Sequence, residues 1–218
     1  MSGGLYMKRW ISAVLAIFTL QFTLLNIPTD ERALASERGI TSFTDTQGHW
    51  AEPAIQFVAA KGIMNGYQDE TFKPNEQMTR VQLISVLART FEWQTNTTTP
   101  FADIQSYAQS TQQEIAAAFE VGVVKGANGN LKPTQPVTRA QLALMLLRAN
   151  EYEVEQVYVP KVKVPFTDIT GYDAETQRAI TFLYEYKLAQ GISEKTFAPA
   201  SPLTRAQAAK ILTNLFEE

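Results

Sequence analysis

Thr79-Arg80-Val81-Gln82 returns as Thr138-Arg139-Ala140-Gln141 and again as Thr204-Arg205-Ala206-Gln207. In each copy a Thr stands three residues before a Gln at the head of an apolar run. This is the capping-box signature of a helix start, in which the Thr hydroxyl takes the Gln N–H and the Gln side chain reaches back to the Thr N–H. Thr79, Thr138 and Thr204 are therefore expected N-caps, and Arg80, Arg139 and Arg205 take the first helical position. There the exposed backbone N–H groups and the positive end of the dipole disfavour a cation, so something else must make the placement worthwhile. An Arg fork beside unpaired N–H donors suits a carboxylate or another anionic oxygen group. Three Arg-centred anion sites are one reading. The other is that each Arg pairs with an acidic side chain or caps a neighbouring carbonyl.

Working outward, the whole stretch from Phe43 is a threefold repeat. The openings are Phe43-Thr44-Asp45, Phe101-Ala102-Asp103 and Phe166-Thr167-Asp168. Each leads into apolar residues at helical spacing: Ile55, Val58 and Ile63 in the first, Ile115, Phe119 and Val123 in the second, Ile180, Leu183 and Leu188 in the third. Each helix is expected to end at a glycine, Gly66, Gly126 or Gly191, in a left-handed cap. A short loop then sets an apolar residue two before a proline: Phe72 and Pro74, Leu131 and Pro133, Phe197 and Pro199. The capped second helix follows, so the unit is helix, loop, helix.

The repeats are bounded as 43–93, 101–150 and 166–218, with a Val- and Pro-bearing connector at 151–165 expected to run extended over the surface. One repeat offers too little surface to bury its own apolar faces, so the three are expected to share a core. Val86, Leu87, Met145, Leu146, Ile211 and Leu212 fall at matching positions of the second helices. They give three apolar helices that pack as a bundle with the first helices outside. Ala208 and Ala209, where the first repeat has Leu83 and Ile84, point to close approach. The fold class is all-α.

Upstream, Lys8 and Arg9 precede an apolar run from Trp10 to Leu25, and Ala33 and Ala35 supply a small-residue cleavage pattern. Residues 1–35 thus have the layout of a secretory signal peptide, with Met7 an alternative start. The run is short of the roughly 20 residues that span a bilayer.

Composition narrows the function classes. The 218 residues carry 19 Lys plus Arg against 22 Asp plus Glu, and no basic stretch is interleaved with aromatics, which argues against nucleic acid. With no Cys and one His, thiol nucleophiles, disulfides and Cys/His metal cages are excluded, and no cofactor is implied. No recurring Glu pair suggests glycoside hydrolysis, so the chain is not expected to be an enzyme.

Phe-x-Asp, His49-Trp50-Ala51, Gly62-Ile63-Met64-Asn65-Gly66-Tyr67, Thr71-Phe72-Lys73-Pro74 and Thr79-Arg80 together resemble the S-layer homology motif of bacterial cell-surface proteins, and the resemblance runs from Phe43 to Glu218. It implies a pseudo-threefold prism around a central three-helix bundle, with ligand grooves between neighbouring lobes. It also implies noncovalent attachment to a cell-wall polymer, a secondary polysaccharide carrying pyruvate ketals whose carboxylate meets the motif Arg. The motif's Glu is Gln here in every repeat, at Gln82, Gln141 and Gln207, and the position of Trp50 is Ser110 and Glu175 in the other repeats. One or two competent grooves are therefore expected rather than three equal ones.

The expected ligand-binding residues are Arg80, Arg139, Arg205, Trp50, Asp45 and Asp69. Trp50 either stacks on a sugar face or sits in the core at its helix start. Asp45, with Asp103 and Asp168, either braces the following turn or touches ligand. Asp69 lies in a loop that presents polar groups without calcium-loop spacing. His49 is expected to pack or cap, not to ligate. The expected partner is cell-wall polysaccharide, at the cell surface. The alternative is an interaction protein whose diverged grooves bind another surface protein.

Overall fold

In the computed structural model the described residues are 42–217, so the signal-peptide reading of residues 1–35 lies outside them. The described residues are all-helical. The helices are α1 (Glu52–Ala60), α2 (Arg80–Thr90), α3 (Gln109–Glu120), α4 (Arg139–Glu153), α5 (Ala174–Glu185) and α6 (Arg205–Asn214), with a 3-10 turn at Ala102–Ile104. No helix among the described residues is long and apolar enough to cross a membrane. Complete capping boxes start α2 and α4: Gln82 N–H donates to Thr79 Oγ1 at 3.4 Å and Thr79 N–H to Gln82 Oε1 at 2.8 Å, with 3.3 and 3.0 Å for Thr138 and Gln141. Replacing the motif's Glu by Gln therefore leaves both starts intact.

The chain forms two compact units. One holds residues 42–75 with 205–217. In it α1 packs against α6, where the Phe57 and Phe216 rings meet at 5.3 Å and the Thr213 hydroxyl donates to Ala54 O. The other unit, Glu76–Thr204, pairs α2 with α3 and α4 with α5, each across an ion pair: Arg89 to Glu114 at 2.9 Å and Arg148 to Glu175 at 2.7 Å. Each second helix thus packs on the first helix of the following sequence repeat, and α6 on the first helix of repeat one. Lobe and repeat are out of phase. The six apolar residues expected at the centre, Val86, Leu87, Met145, Leu146, Ile211 and Leu212, are all buried.

Within the larger unit three short segments ahead of Arg80, Arg139 and Arg205 close a ring of backbone bonds. Met78 N–H donates to Leu203 O at 2.9 Å, Leu203 N–H to Val137 O at 2.8 Å, and Val137 N–H to Met78 O at 2.9 Å. All three side chains are fully buried. Main-chain polar groups at such depth must pair with something, and here they pair with one another.

The expected glycine caps are corrected. The first helices end at left-handed Gly62, Gly122 and Lys187, four residues before Gly66, Gly126 and Gly191, none of which has positive φ. These later glycines serve close packing instead. A Cβ on Gly66 would lie 2.1 Å from the Phe43 ring and 2.8 Å from Thr71 O, and Gly126 and Gly191 meet Phe101 and Phe166 in the same way. The repeat-opening Phe covers the glycine, and the loop doubles back over it.

Two residues after that Phe, the Asp locks the loop. Asp45 accepts from the Phe72 and Lys73 N–H groups, both at 2.8 Å. Asp103 does so for Leu131 and Lys132 at 2.8 and 2.7 Å, and Asp168 for Phe197 and Ala198 at 3.0 and 2.8 Å. The second residue of each pair, Lys73, Lys132 or Ala198, has φ between 56 and 59°. This left-handed conformation costs a non-glycine residue roughly 1–2 kcal/mol. The two charge-assisted bonds to one carboxylate offset it.

Residues 151–153 of the expected connector belong to α4, and the rest has no helix or strand, with Val157 and Val159 exposed and Tyr158 buried. The Tyr158 ring meets Phe182 at 5.2 Å, and its hydroxyl donates to Glu185 at 2.6 Å. One buried residue in an exposed run thus anchors the connector.

Gly66→Ala is expected to destabilise by about 1–3 kcal/mol, because ring and carbonyl must both give way. Gly171→Ala, whose added Cβ meets nothing within 4 Å, should leave the melting temperature nearly unchanged. Thermal melts of the two variants side by side check this. Asp103→Ala strands two backbone donors and is expected to cost about 1–3 kcal/mol in urea unfolding.

Candidate functional site

The three motif arginines start equivalent helices, yet the structure separates them. The first-turn N–H groups expected to face an anion are already taken: Arg80 N–H donates to Gln135 O at 2.8 Å, Val81 N–H to Pro133 O at 3.0 Å, and Arg139 N–H to Ser201 O at 3.0 Å. In the smaller unit Ala206 N–H likewise donates to Pro74 O. Helix-end donors therefore do not build the site, and side chains must.

Arg139 reaches into the loop of the repeat that follows it. Its Nε donates to Phe197 O and its Nη2 to Gln190 O, both at 2.9 Å, and the guanidinium lies 4.5 Å from the centre of the Phe197 ring. Arg205 repeats the pattern inside the smaller unit, with Nε to Phe72 O at 2.7 Å, Nη2 to Asn65 O at 2.8 Å, and the Phe72 ring at 4.3 Å. Each of the two is only 6% exposed. Both hold neighbouring carbonyls, the second of the two readings drawn from the sequence, and stacking on an aromatic face adds to the hold.

Arg80 differs. Its Nη2 makes the equivalent bond, to Lys125 O at 2.8 Å. Its Nε is buried and finds no hydrogen-bond partner among the described residues. The position of Phe72 and Phe197 is here Leu131, which has no ring to lie under a guanidinium, and Arg80 stays half-buried. In front of it opens a cleft of ≈ 230 Å³ lined by Arg80, Lys125, Asn130, Lys132, Gln135 and Gln141, all within the larger unit.

The electrostatics of the cleft are cationic. Burial, and after it repulsion from Arg148, lower the Arg80 guanidinium below the ordinary arginine value. Burial also lowers Arg139, against which Asp168 pulls upward. Arginine remains charged through shifts of this kind. Glu175 is held below the usual carboxylate range, first by its bond to Arg148 and more weakly by the Arg148 and Lys125 charges. Arg148 is thus engaged by Glu175, whereas Arg80 lines the cleft and keeps a buried Nε without a partner among the described residues.

Trp50 is 63% exposed, which rules out the core reading and leaves its indole face open beside His49. His49 lies ahead of α1, its Nδ1 accepting from the N–H of the N-cap residue Ala51 at 3.2 Å. Asp45 uses both oxygens on its loop, as above. Asp69 is exposed and accepts from the Thr71 N–H and hydroxyl at 3.2 and 2.6 Å, and the hydroxyl bond chiefly holds its carboxyl low. Trp50, Asp45, Asp69 and Arg205 belong to the smaller unit, Arg80 and Arg139 to the larger. Lys125, Lys132 and Leu131 were not singled out as site residues in the sequence. The signal for them is their place in the loop of the repeat after Arg80. No cluster of metal-ligating side chains occurs among the described residues.

Three stretches, residues 42–84, 100–143 and 165–209, match the family model described as the S-layer homology domain, and together they make up more than half of the chain. Among curated proteins, an endoglucanase of Bacillus sp. (strain KSM-635) is 29% identical over 206 residues, covering 93% of this chain and 22% of that protein. The surface-layer 125 kDa protein of Lysinibacillus sphaericus is 37% identical over 118 residues, covering 54% of this chain and 9% of that protein. An S-layer protein of Bacillus thuringiensis subsp. finitimus is 24% identical over 172 residues, covering 78% and 21% respectively. The chain spans about a fifth or less of the length of these relatives.

Proposed function

This chain belongs to the S-layer homology domain family, and on that premise we propose that it attaches to the bacterial cell wall by seating an anionic group of a secondary wall polysaccharide in the Arg80 cleft. The family consists of non-catalytic modules that bind cell-wall polysaccharide, which assigns the chain to the cell surface. The hydrolytic activity in the name of the Bacillus endoglucanase is not carried over, since the similarity covers 22% of that protein.

The observation that carries the reading is Arg80, one bond short of the hold that the other motif arginines make, lining a cleft flanked by Lys125 and Lys132. A guanidinium at the cleft wall suits a carboxylate, whose charge Lys125 and Lys132 balance. The pyruvate ketal of a wall sugar is such a carboxylate, fixed on a ring whose hydroxyls suit the amides of Asn130, Gln135 and Gln141. A cleft of ≈ 230 Å³ is small beside ligand pockets of roughly 300–1,000 Å³, and fits one decorated sugar better than a length of chain. Trp50, in the smaller unit, offers its exposed face to a wall sugar ring as a contact of that unit by itself. Asp45 and Asp69 contribute by holding the loop that carries Phe72.

Sedimentation of the full chain with purified sacculi, before and after chemical removal of the polysaccharide, tests the proposal. Pelleting is expected with intact walls only. Arg80→Ala should weaken it tenfold or more, equivalent to about 1.4 kcal/mol or more, with an unchanged circular dichroism spectrum. Trp50→Ala should cause a smaller, several-fold loss. Equal pelleting with stripped walls, or no effect of Arg80→Ala, would reject the glycan reading and turn attention to another surface protein as the partner.

A further inference from the structure

We infer that only one of the three motif arginines is a ligand receptor, that Arg139 and Arg205 are internal clamps, and that the residue deciding between these roles is Leu131. The inference rests on the proposed glycan reading for the identity of the ligand, but not for the division of labour.

The same three elements recur around each arginine. They are the carbonyl before the packing glycine, the carbonyl of the apolar residue two before the proline, and the side chain of that apolar residue. Where the last is Phe197 or Phe72, the guanidinium lies on the ring at 4.5 or 4.3 Å and both carbonyls are taken. A planar cation held by two bonds and a stacked ring has no donor edge left facing those carbonyls to give to a ligand without first releasing the loop. Where the last is Leu131, itself a buried side chain, one carbonyl bond survives, the Nε has no partner and the loop lines the cleft. The Phe101 ring packs on Phe119 at 5.2 Å, as Phe166 packs on Tyr184 at 5.4 Å, but it has no loop phenylalanine to meet in the way that Phe43 meets Phe72 and Phe166 meets Phe197. One side-chain change thus frees an arginine from structural duty and turns the loop beside it into a cleft wall.

The cationic neighbours fit this division. Lys125 stands where the clamped loops have Gln190 and Asn65, so the loop that frees Arg80 adds a positive charge next to it, whereas Lys132 stands where the Arg139 loop has Ala198 but the Arg205 loop also has a lysine, Lys73. The loop clamped by Arg139 has neither.

Nuclear magnetic resonance of the full chain, following solvent exchange of the arginine Nε–H groups without ligand, reads the clamps directly. Arg139 and Arg205 are expected to exchange at least tenfold more slowly than Arg80. A methyl glycoside bearing a pyruvate ketal should then shift the Arg80 Nε resonance and leave the other two in place. Leu131→Phe should slow Arg80 exchange toward the other two and weaken glycoside binding at least tenfold. Phe197→Leu, which asks no loop to take a larger side chain, should speed Arg139 exchange and so tests the same rule if Leu131→Phe fails to fold. Similar exchange at all three arginines, or a Leu131→Phe variant that folds and binds like the parent, would overturn the inference. Absence of any glycoside shift alongside the expected exchange pattern would count against the glycan reading and leave the clamp assignment standing.

Discussion

Three backbone hydrogen bonds, linking Met78, Val137 and Leu203 in a closed ring, are the constraint from which the rest of the larger unit follows. The three segments share no strand and belong to no sheet. Each lies two residues ahead of a motif arginine, so fixing the ring fixes where α2 and α4 begin and which loop lies opposite each start. With these side chains fully buried, any slip of one segment would strand main-chain donors and acceptors in an apolar interior. The Thr-Arg pair thus enters each helix at a set height. The arginine reaches the following repeat because the ring brings that repeat's loop to it.

Around this ring the molecule uses two kinds of polar clip. One is the repeat-opening Asp, whose two oxygens hold a pair of loop N–H groups in the left-handed turn after the apolar residue. The other is the arginine, which holds two carbonyls of the same loop from the opposite side. Asp103 and Arg80 grip one loop, Asp168 and Arg139 the next. In the second case the loop is gripped on both sides. In the first one grip is incomplete, and there the cleft lies. Whether the arginine's hold on its loop is complete is therefore set by the sequence of that loop.

Much of this was legible from the chain alone where the determinants are local. Thr79 with Gln82 and Thr138 with Gln141 lie within one helical turn, so a capping box can be read directly and is found intact. The recurrence of Phe-x-Asp was equally plain. The meaning of Gly66, Gly126 and Gly191 was not, because a sequence shows that a Cβ is absent but not whether a dihedral or a neighbouring ring requires it. The Phe43 ring that occupies the space is 23 positions away. The partners of the arginines are farther still, Gln190 from Arg139 and Asn65 from Arg205 by 51 and 140 positions, so carbonyl clamping could be named as an alternative and not chosen. Leu131 was aligned with Phe72 and Phe197 as one more apolar residue. Its consequence appears only once a guanidinium is seen lying on the other two.

The out-of-phase pairing of helices also orders events in time. α1 finds its partner in α6, and the separation from Ala60 to Arg205 is about 145 residues. At synthesis rates of roughly 5–20 residues per second, α1 waits on the order of 7–30 s for the helix that covers it. Through that interval Ile55 and Val58, both wholly buried in the finished unit, have no native surface to rest on. The smaller unit can thus close only after α6 has been made, whereas the larger unit holds both partners of each of its helix pairs before that.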